Sequence, residues 1–258
     1  MTHLIADDGA RLHVTSTGSG PLTVIFLPSM GASTADWASL WAAMDQQHVR
    51  CVALDLRGAG ESELEPCEIS NQRLADDVLQ VADHFAANSF VVVGHSIGGK
   101  TGLYLTIVAP ERVKALVLLG CPSPGLVPIG REVLDDYLAH TDRRAYTETF
   151  FRPWFKVWPR PEIDAWLDGF ARIPDWALLA LCEAAMWTDF RDRLRPVAVP
   201  ALVVVGEHDP IYGPAYQREQ VLPHLAQPEV VTIDCGHGLV LERPAEIARA
   251  LDLFLERF

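Results

Sequence analysis

The chain has no cysteines spaced for zinc or redox chemistry: Cys51, Cys67, Cys121, Cys182 and Cys235 are odd in number, scattered, and form no C-x-x-C pair. Free thiols in a reducing compartment follow, and with them the expectation of a cytoplasmic protein. Long apolar runs are missing too. No stretch reaches the roughly 18 apolar residues of a membrane span, and the first nine residues, MTHLIADDG, have neither the basic start nor the apolar centre of a signal peptide. Basic charge is scarce, with 21 Lys and Arg against 34 Asp and Glu and a formal net charge of -13. That field repels phosphate backbones and anionic membranes, so nucleic acid and membranes are not expected partners, and polyanionic substrates are disfavoured at long range. Internal repeats and low-complexity tracts are absent.

What is present is enough apolar material for one large core: 258 residues, 49% hydrophobic. Short β-branched apolar runs alternate with longer segments of helical period, which predicts an α/β fold with a mostly parallel sheet covered by helices on both faces. The strand candidates are residues 22–27, 49–54, 90–93, 113–119, 201–205 and 230–233. Ahead of them, 2–6 and 11–17 flank Asp8-Gly9 and read as a hairpin adding an antiparallel edge. Helices fit over 33–46, 71–87, 97–109, 215–225 and, behind Pro244, 245–256.

Residues 123–195 break the alternation. They contain no convincing strand and several helical segments punctuated by Pro124, Pro128, Pro153, Pro159, Pro161 and Pro174, so they read as a helical insertion in a core made of 1–122 and 196–258. The insertion holds 12 of the 22 aromatic residues, among them Trp154, Phe155, Trp158, Trp166, Phe170, Trp176 and Trp187. Most serve the packing of a small helical unit, and a few are expected to line an apolar substrate pocket.

The predicted strand at 90–93 runs into Gly94-His95-Ser96-Ile97-Gly98-Gly99 and then an apolar helix, the context of a nucleophile elbow. A serine on so sharp a turn sits in a strained backbone, and glycines two before and two after it let strand and helix approach closely. Serine is a weak nucleophile, so it needs a histidine base and a carboxylate that fixes the histidine tautomer. Gly206-Glu207-His208-Asp209-Pro210 follows one strand candidate, and Asp234-Cys235-Gly236-His237-Gly238 follows another. Both lie at C-terminal strand ends, where an open α/β sheet builds its crevice. Asp209 is preferred to Glu207 and to Asp234, which stands only three residues before His237. His95, beside the elbow, should point its side chain away, and both it and His208 are assigned supporting roles.

These motifs together make the chain resemble the α/β-hydrolase superfamily over essentially its whole length, in the branch with a helical cap inserted after the sixth strand. The resemblance implies a mostly parallel eight-stranded sheet and the order Ser96, Asp209, His237 for the catalytic triad. Asp55-Leu56-Arg57-Gly58-Ala59-Gly60-Glu61-Ser62 matches a turn that is structural in the family. The loop after strand 22–27 departs from the family: it reads Pro28-Ser29-Met30-Gly31 where His-Gly is usual, and proline has no N–H to donate. By position, Met30 and Ile97 are expected to supply the two oxyanion-hole amides, with Ser29 offering a hydroxyl donor; the other reading of Met30 is a flexible side chain that only lines the pocket.

The expected reaction is acyl transfer to water on a small, partly apolar ester, thioester or lactone, with no cofactor and no metal. A serine at the elbow argues against haloalkane dehalogenase and epoxide hydrolase chemistry, which needs a carboxylate nucleophile. Hydrolysis of a carbon–carbon bond in a diketone-type acid and acyl transfer to another acceptor use the same triad and stay open. So does a ligand-binding receptor on a hydrolase scaffold. Lys100, one turn beyond Ser96, is expected on the helix surface, with contact to an anionic substrate as the other reading.

Overall fold

The computed structural model describes residues 2–158 and 160–258; Met1 and Pro159, the latter one of the prolines that punctuate the insertion, lie outside the described residues. Eight strands, β1 (Thr2–Ile5), β2 (Arg11–Thr17), β3 (Leu22–Leu27), β4 (Val49–Leu54), β5 (Phe90–His95), β6 (Val113–Leu119), β7 (Ala201–Gly206) and β8 (Pro228–Ile233), form one sheet in the order β1-β2-β4-β3-β5-β6-β7-β8. β2 pairs antiparallel with β1 and β4, and the remaining pairings are parallel. The turn at Asp8-Gly9 closes as expected, with Gly9 at φ 90°.

Strands buried on both faces are apolar at nearly every position, which is why β3, β5, β6 and β7 stand out as runs without alternation, interrupted only by Thr23, His95 and the exposed Lys114. Their side chains still divide by parity. Ile25, Leu27, Phe90, Val92, Leu116, Leu118 and Val203 enter one core, beneath α2 (Asn71–His84) and α3 (Ile97–Val108). Val24, Phe26, Val91, Val93, Val117, Leu119 and Val204 enter the other, beneath α1 (Ala38–Ala43) and α10 (Pro244–Leu255). Between β6 and β7 lie α4 (Arg131–Ala139), α5 (Arg143–Phe151), α6 (Pro161–Ala171) and α7 (Asp175–Cys182), the last running into a π turn over Glu183–Trp187. Their apolar faces form a third cluster, which reaches the core at Leu56, Leu74, Ile97 and Leu241. No helix among the described residues is long and apolar enough to cross a membrane.

Two expected helices are less regular than the sequence pattern implies. Residues 33–46 divide into a 3₁₀ turn, Thr34–Trp37, and the short α1. Residues 215–225 are broken into α8 (Pro214–Tyr216), a π turn over Gln217–Val221 and a 3₁₀ turn over Leu222–His224. Pro223 removes an N–H from the ladder. The buried Gln217 amide bonds inward, to the Cys121 and Tyr212 carbonyls at 2.7 and 3.0 Å. After β8 come α9 (Leu239–Glu242) and α10.

The Asp55–Ser62 turn ties the edge of the sheet to the loop after β3. Asp55 accepts from the Thr34 amide at 2.5 Å and the Glu61 amide at 2.8 Å, and its carbonyl accepts from the Ser62 hydroxyl. Arg57 is fully buried and forks onto Asp77 at 2.6 and 2.7 Å and onto Asp8 at 2.5 and 3.1 Å. A buried pair loses most when one partner goes, because the other stays desolvated. Arg57→Met should therefore cost about 3 kcal/mol in urea unfolding, and adding Asp77→Leu should restore most of it. Equal stability of the single mutant and the parent would disprove the pairing's importance.

Candidate active site

The β5-to-α3 turn carries Ser96 at φ 53° and ψ -121°, a conformation that side-chain-bearing residues avoid. Its neighbours make the turn possible. A Cβ at Gly94 would strike the Gly98 backbone, and one at Gly98 would strike the Leu27 carbonyl at the end of β3. The Ser96 amide is held by the Leu119 carbonyl at 2.9 Å, which pins the elbow to the end of β6.

Asp209 and His237 meet beside it. Asp209 follows β7, and its Oδ2 accepts from His237 Nδ1 at 2.7 Å while Oδ1 accepts from the Ile211 and Tyr212 amides at 3.0 and 2.9 Å. Burial opposes the charge on Asp209, but the His237 imidazole, its hydrogen bond and the two amides outweigh it and hold the carboxyl below its usual range. The rival acids stand elsewhere: Glu207 and Asp234 are exposed, and Asp234 bonds to His208 and Lys156. The His208 ring bonds to Asp234 and Lys156, and among the described residues it makes no hydrogen bond to His237.

Ser96 and His237 line the same cavity, about 1140 Å³ with its open mouth included. The Ser96 hydroxyl has no hydrogen-bond partner among the described residues. Ser29 and Met30 line the cavity as well, and Ile97 is fully buried at the start of α3. Neither the Met30 nor the Ile97 amide has an acceptor among the described residues, so both donors are uncommitted. Most of the remaining wall is apolar, with Leu134, Phe151, Trp154, Trp166 and Phe170 on α4–α6 and the turn after α5.

Two expectations need correction. Lys100 is not on a surface: it is fully buried, and its Nζ donates to the carbonyls of Gly125, Ala185 and Thr188 at 3.1, 3.1 and 2.9 Å. The reason is legible in α3, whose Ile97-Gly-Gly-Lys-Thr-Gly-Leu-Tyr-Leu has no polar face to offer water. His95 does not point away from the site either. Strand parity places it with Val91 and Val93, on the side where the β8–α9 loop passes, and its Nε2 donates to the His237 carbonyl at 2.9 Å. Burial, and then the neighbouring His237, push its imidazole down to about 3, so it is neutral there.

Sequence reasoning missed Glu242 and the backbone role of Trp154, which it had named only among the aromatics of the insertion. Glu242 is buried on α9 and accepts from the Gly236 amide at 3.0 Å and from the Lys156 and Val157 amides at 2.9 and 2.8 Å. The Trp154 carbonyl accepts from the His237 amide at 2.6 Å. The available signal was a lone acid closing the apolar run Leu239-Val240-Leu241. The five thiols are all free, and burial pushes Cys51 and Cys182 up to about 12, which leaves them unreactive.

An eight-stranded sheet with a serine elbow between β5 and α3 and an Asp–His pair after β7 and β8 defines a class of hydrolytic enzymes. The alpha/beta hydrolase family model matches residues 24–250, and the chain belongs to that family. It is 30% identical over 260 residues to lipase LipV of Mycobacterium tuberculosis, covering 93% of this chain and 96% of that protein. It is 25% identical over 306 residues to bifunctional epoxide hydrolase 2 of Sus scrofa, a match to 98% of this chain and 55% of the longer protein. The structure of the enol-lactonase from Burkholderia xenovorans superposes with a TM-score of 0.87 at 26% identity, covering 99% of this chain and 100% of that one. The chain is a hydrolase.

Lys100 gives a test of how the helices after β6 are held. Burial pushes its ammonium down to about 8 from the usual 10.5, with Cys121 and Asp189 opposing. The folded protein sheds this proton at lower pH than the unfolded chain. The burial penalty thus stands in full below about pH 8 and is relieved as pH rises to 10.5. Lys100→Met, which orphans three carbonyls, should cost about 2 kcal/mol at neutral pH, and the parent's unfolding free energy should climb relative to the mutant's above pH 8. A pH-independent difference would disprove the buried cation.

Proposed function

We propose that the chain is a serine hydrolase that cleaves an ester, thioester or lactone of a small, partly apolar substrate through an acyl-enzyme, with Ser96 as nucleophile, His237 as base and Asp209 as the group orienting the base. The observation that carries this reading is the 2.7 Å bond from His237 Nδ1 to an Asp209 whose other oxygen is held by two amides, on the wall of the cavity that Ser96 lines. An ionised Asp209 accepts only, so the proton sits on Nδ1 and the Nε2 lone pair is free to take the Ser96 proton.

Ser96 Oγ then bonds to the substrate carbonyl carbon, and the Met30 and Ile97 amides stabilise the oxyanion. Collapse breaks the bond to the leaving group, which departs with the proton from His237. A water, deprotonated by His237, attacks the acyl-enzyme, and the acid leaves as Oγ regains its proton. No hydrogen bond joins Ser96 to His237 among the described residues; catalytic contacts of this kind commonly tighten in the complex with substrate. The residues between β6 and β7 act as a cap that shapes the acyl site. A serine rather than a carboxylate at the elbow separates this chain's chemistry from that of the epoxide hydrolase it resembles.

Ser96→Ala and His237→Ala should each remove nearly all ester hydrolysis with melting close to the parent, since triad members act as a unit. A tenth of parental kcat/KM in either mutant would sink the assignment. Asp209→Asn should keep the fold and lower kcat by about 10³ to 10⁴ through the wrong tautomer. Fluorophosphonate should label Ser96. Substituting Phe151 or Phe170 should change preference among acyl chain lengths through KM, by about 1 to 3 kcal/mol per apolar group. Unchanged preference in both would remove the helices after β6 from substrate selection.

A further inference from the structure

Among the described residues, the walls of the cavity that Ser96 lines carry no lysine or arginine. Among their ionisable groups, His95 is neutral and His237 is taken up by Asp209, which leaves one carboxylate facing no partner of opposite charge: Asp36, on the 3₁₀ turn behind the Met30 loop. Asp36 Oδ2 accepts from the Ser33 amide at 3.3 Å, and Oδ1 has no protein partner among the described residues. Arg160 shares a second cavity with Asp36, but its Nη1 donates to the Leu241 carbonyl at 3.3 Å and it forms no ion pair with Asp36 among the described residues.

We propose that Asp36 is a specificity-determining residue that makes the cavity selective for uncharged acyl groups and excludes those bearing a carboxylate, a reading that rests on the serine-hydrolase assignment of the same cavity. A substrate carboxylate entering the apolar part of this cavity loses its hydration and finds no cation in exchange. It also meets Asp36, whose own situation reports how poorly the site tolerates negative charge. Burial, together with the charge of Asp55 and against the Ser33 amide, pushes the Asp36 carboxyl up to about 7. Asp36 is thus a polar group set in an apolar wall, able to exchange a hydrogen bond with a hydroxyl or amide of a neutral substrate and repelling a second carboxylate. Diketone-type acids and carboxylate-bearing lactones fall outside the class it accepts.

The test compares two p-nitrophenyl esters of equal length, hexanoate and the monoester of adipate, at pH 8. The parent should prefer the neutral ester by about 100-fold in kcat/KM, chiefly through KM. Asp36→Asn should narrow that preference about tenfold, and Asp36→Glu should keep it. Asp36→Ser, which can also cap the Ser33 amide, replaces Asp36→Asn if that variant does not fold. Two outcomes overturn the proposal: a parental preference below threefold, or a preference unchanged in the Asn or Ser variant. If fluorophosphonate fails to label Ser96 and neither ester turns over, the hydrolase reading has failed by itself. Binding of hexanamide against adipamic acid, followed by tryptophan fluorescence, then decides the role of Asp36 separately, with the same ordering expected and equal affinity overturning it.

Discussion

The close approach of α3 to the ends of β3 and β5 governs this molecule. Glycines at 94 and 98 let the strand and helix backbones meet where any side chain would collide, and Ser96 is forced to positive φ as a result. Such a residue costs about 1 to 3 kcal/mol and persists only where its surroundings determine it. Here they do so through the Leu119 carbonyl, which anchors the Ser96 amide, and through the pairing of β5 with both β3 and β6. The C-terminal strand ends that this arrangement aligns are the ones that carry Asp209 and His237.

Polar links of unusual placement connect that edge to the helices between β6 and β7. Lys100 gathers three carbonyls from one side of the segment, and the Asn71 amide takes the Ala184 carbonyl and the Thr188 hydroxyl nearby. Glu242 gathers two amides from the other side. Each is a buried group whose removal leaves several backbone atoms unsatisfied, and together they give an otherwise apolar interface a single register.

Much of this was legible in the sequence, for reasons that differ by element. Strands buried on both faces have no polar alternative, so 22–27, 113–119 and 201–205 were read within a residue of their observed limits. Helix ends were harder: residues 215–225 kept a helical pattern, but the ladder fails at Pro223 and around the inward-bonding Gln217. The Asp209–His237 contact was legible because strand ends converge at a known edge of such a sheet. Lys100 was misjudged because a lysine is normally solvated, and only the absence of any polar face on α3 argued otherwise. Glu242 showed only as a lone acid closing an apolar run, because its partners at 156 and 157 lie far along the chain, and Asp36 reads in sequence as no more than the acid that caps the turn begun at Ser33.

The bond from the His237 amide to the Trp154 carbonyl and the two from residues 156 and 157 to Glu242 tie one wall of the cavity to the loop that bears the imidazole. Displacing residues 154–157 would break all three at once, while His95, Asp209 and the Glu242 bond to the Gly236 amide still hold the loop, so the placement of that wall and the support of the imidazole loop are coupled without being identical.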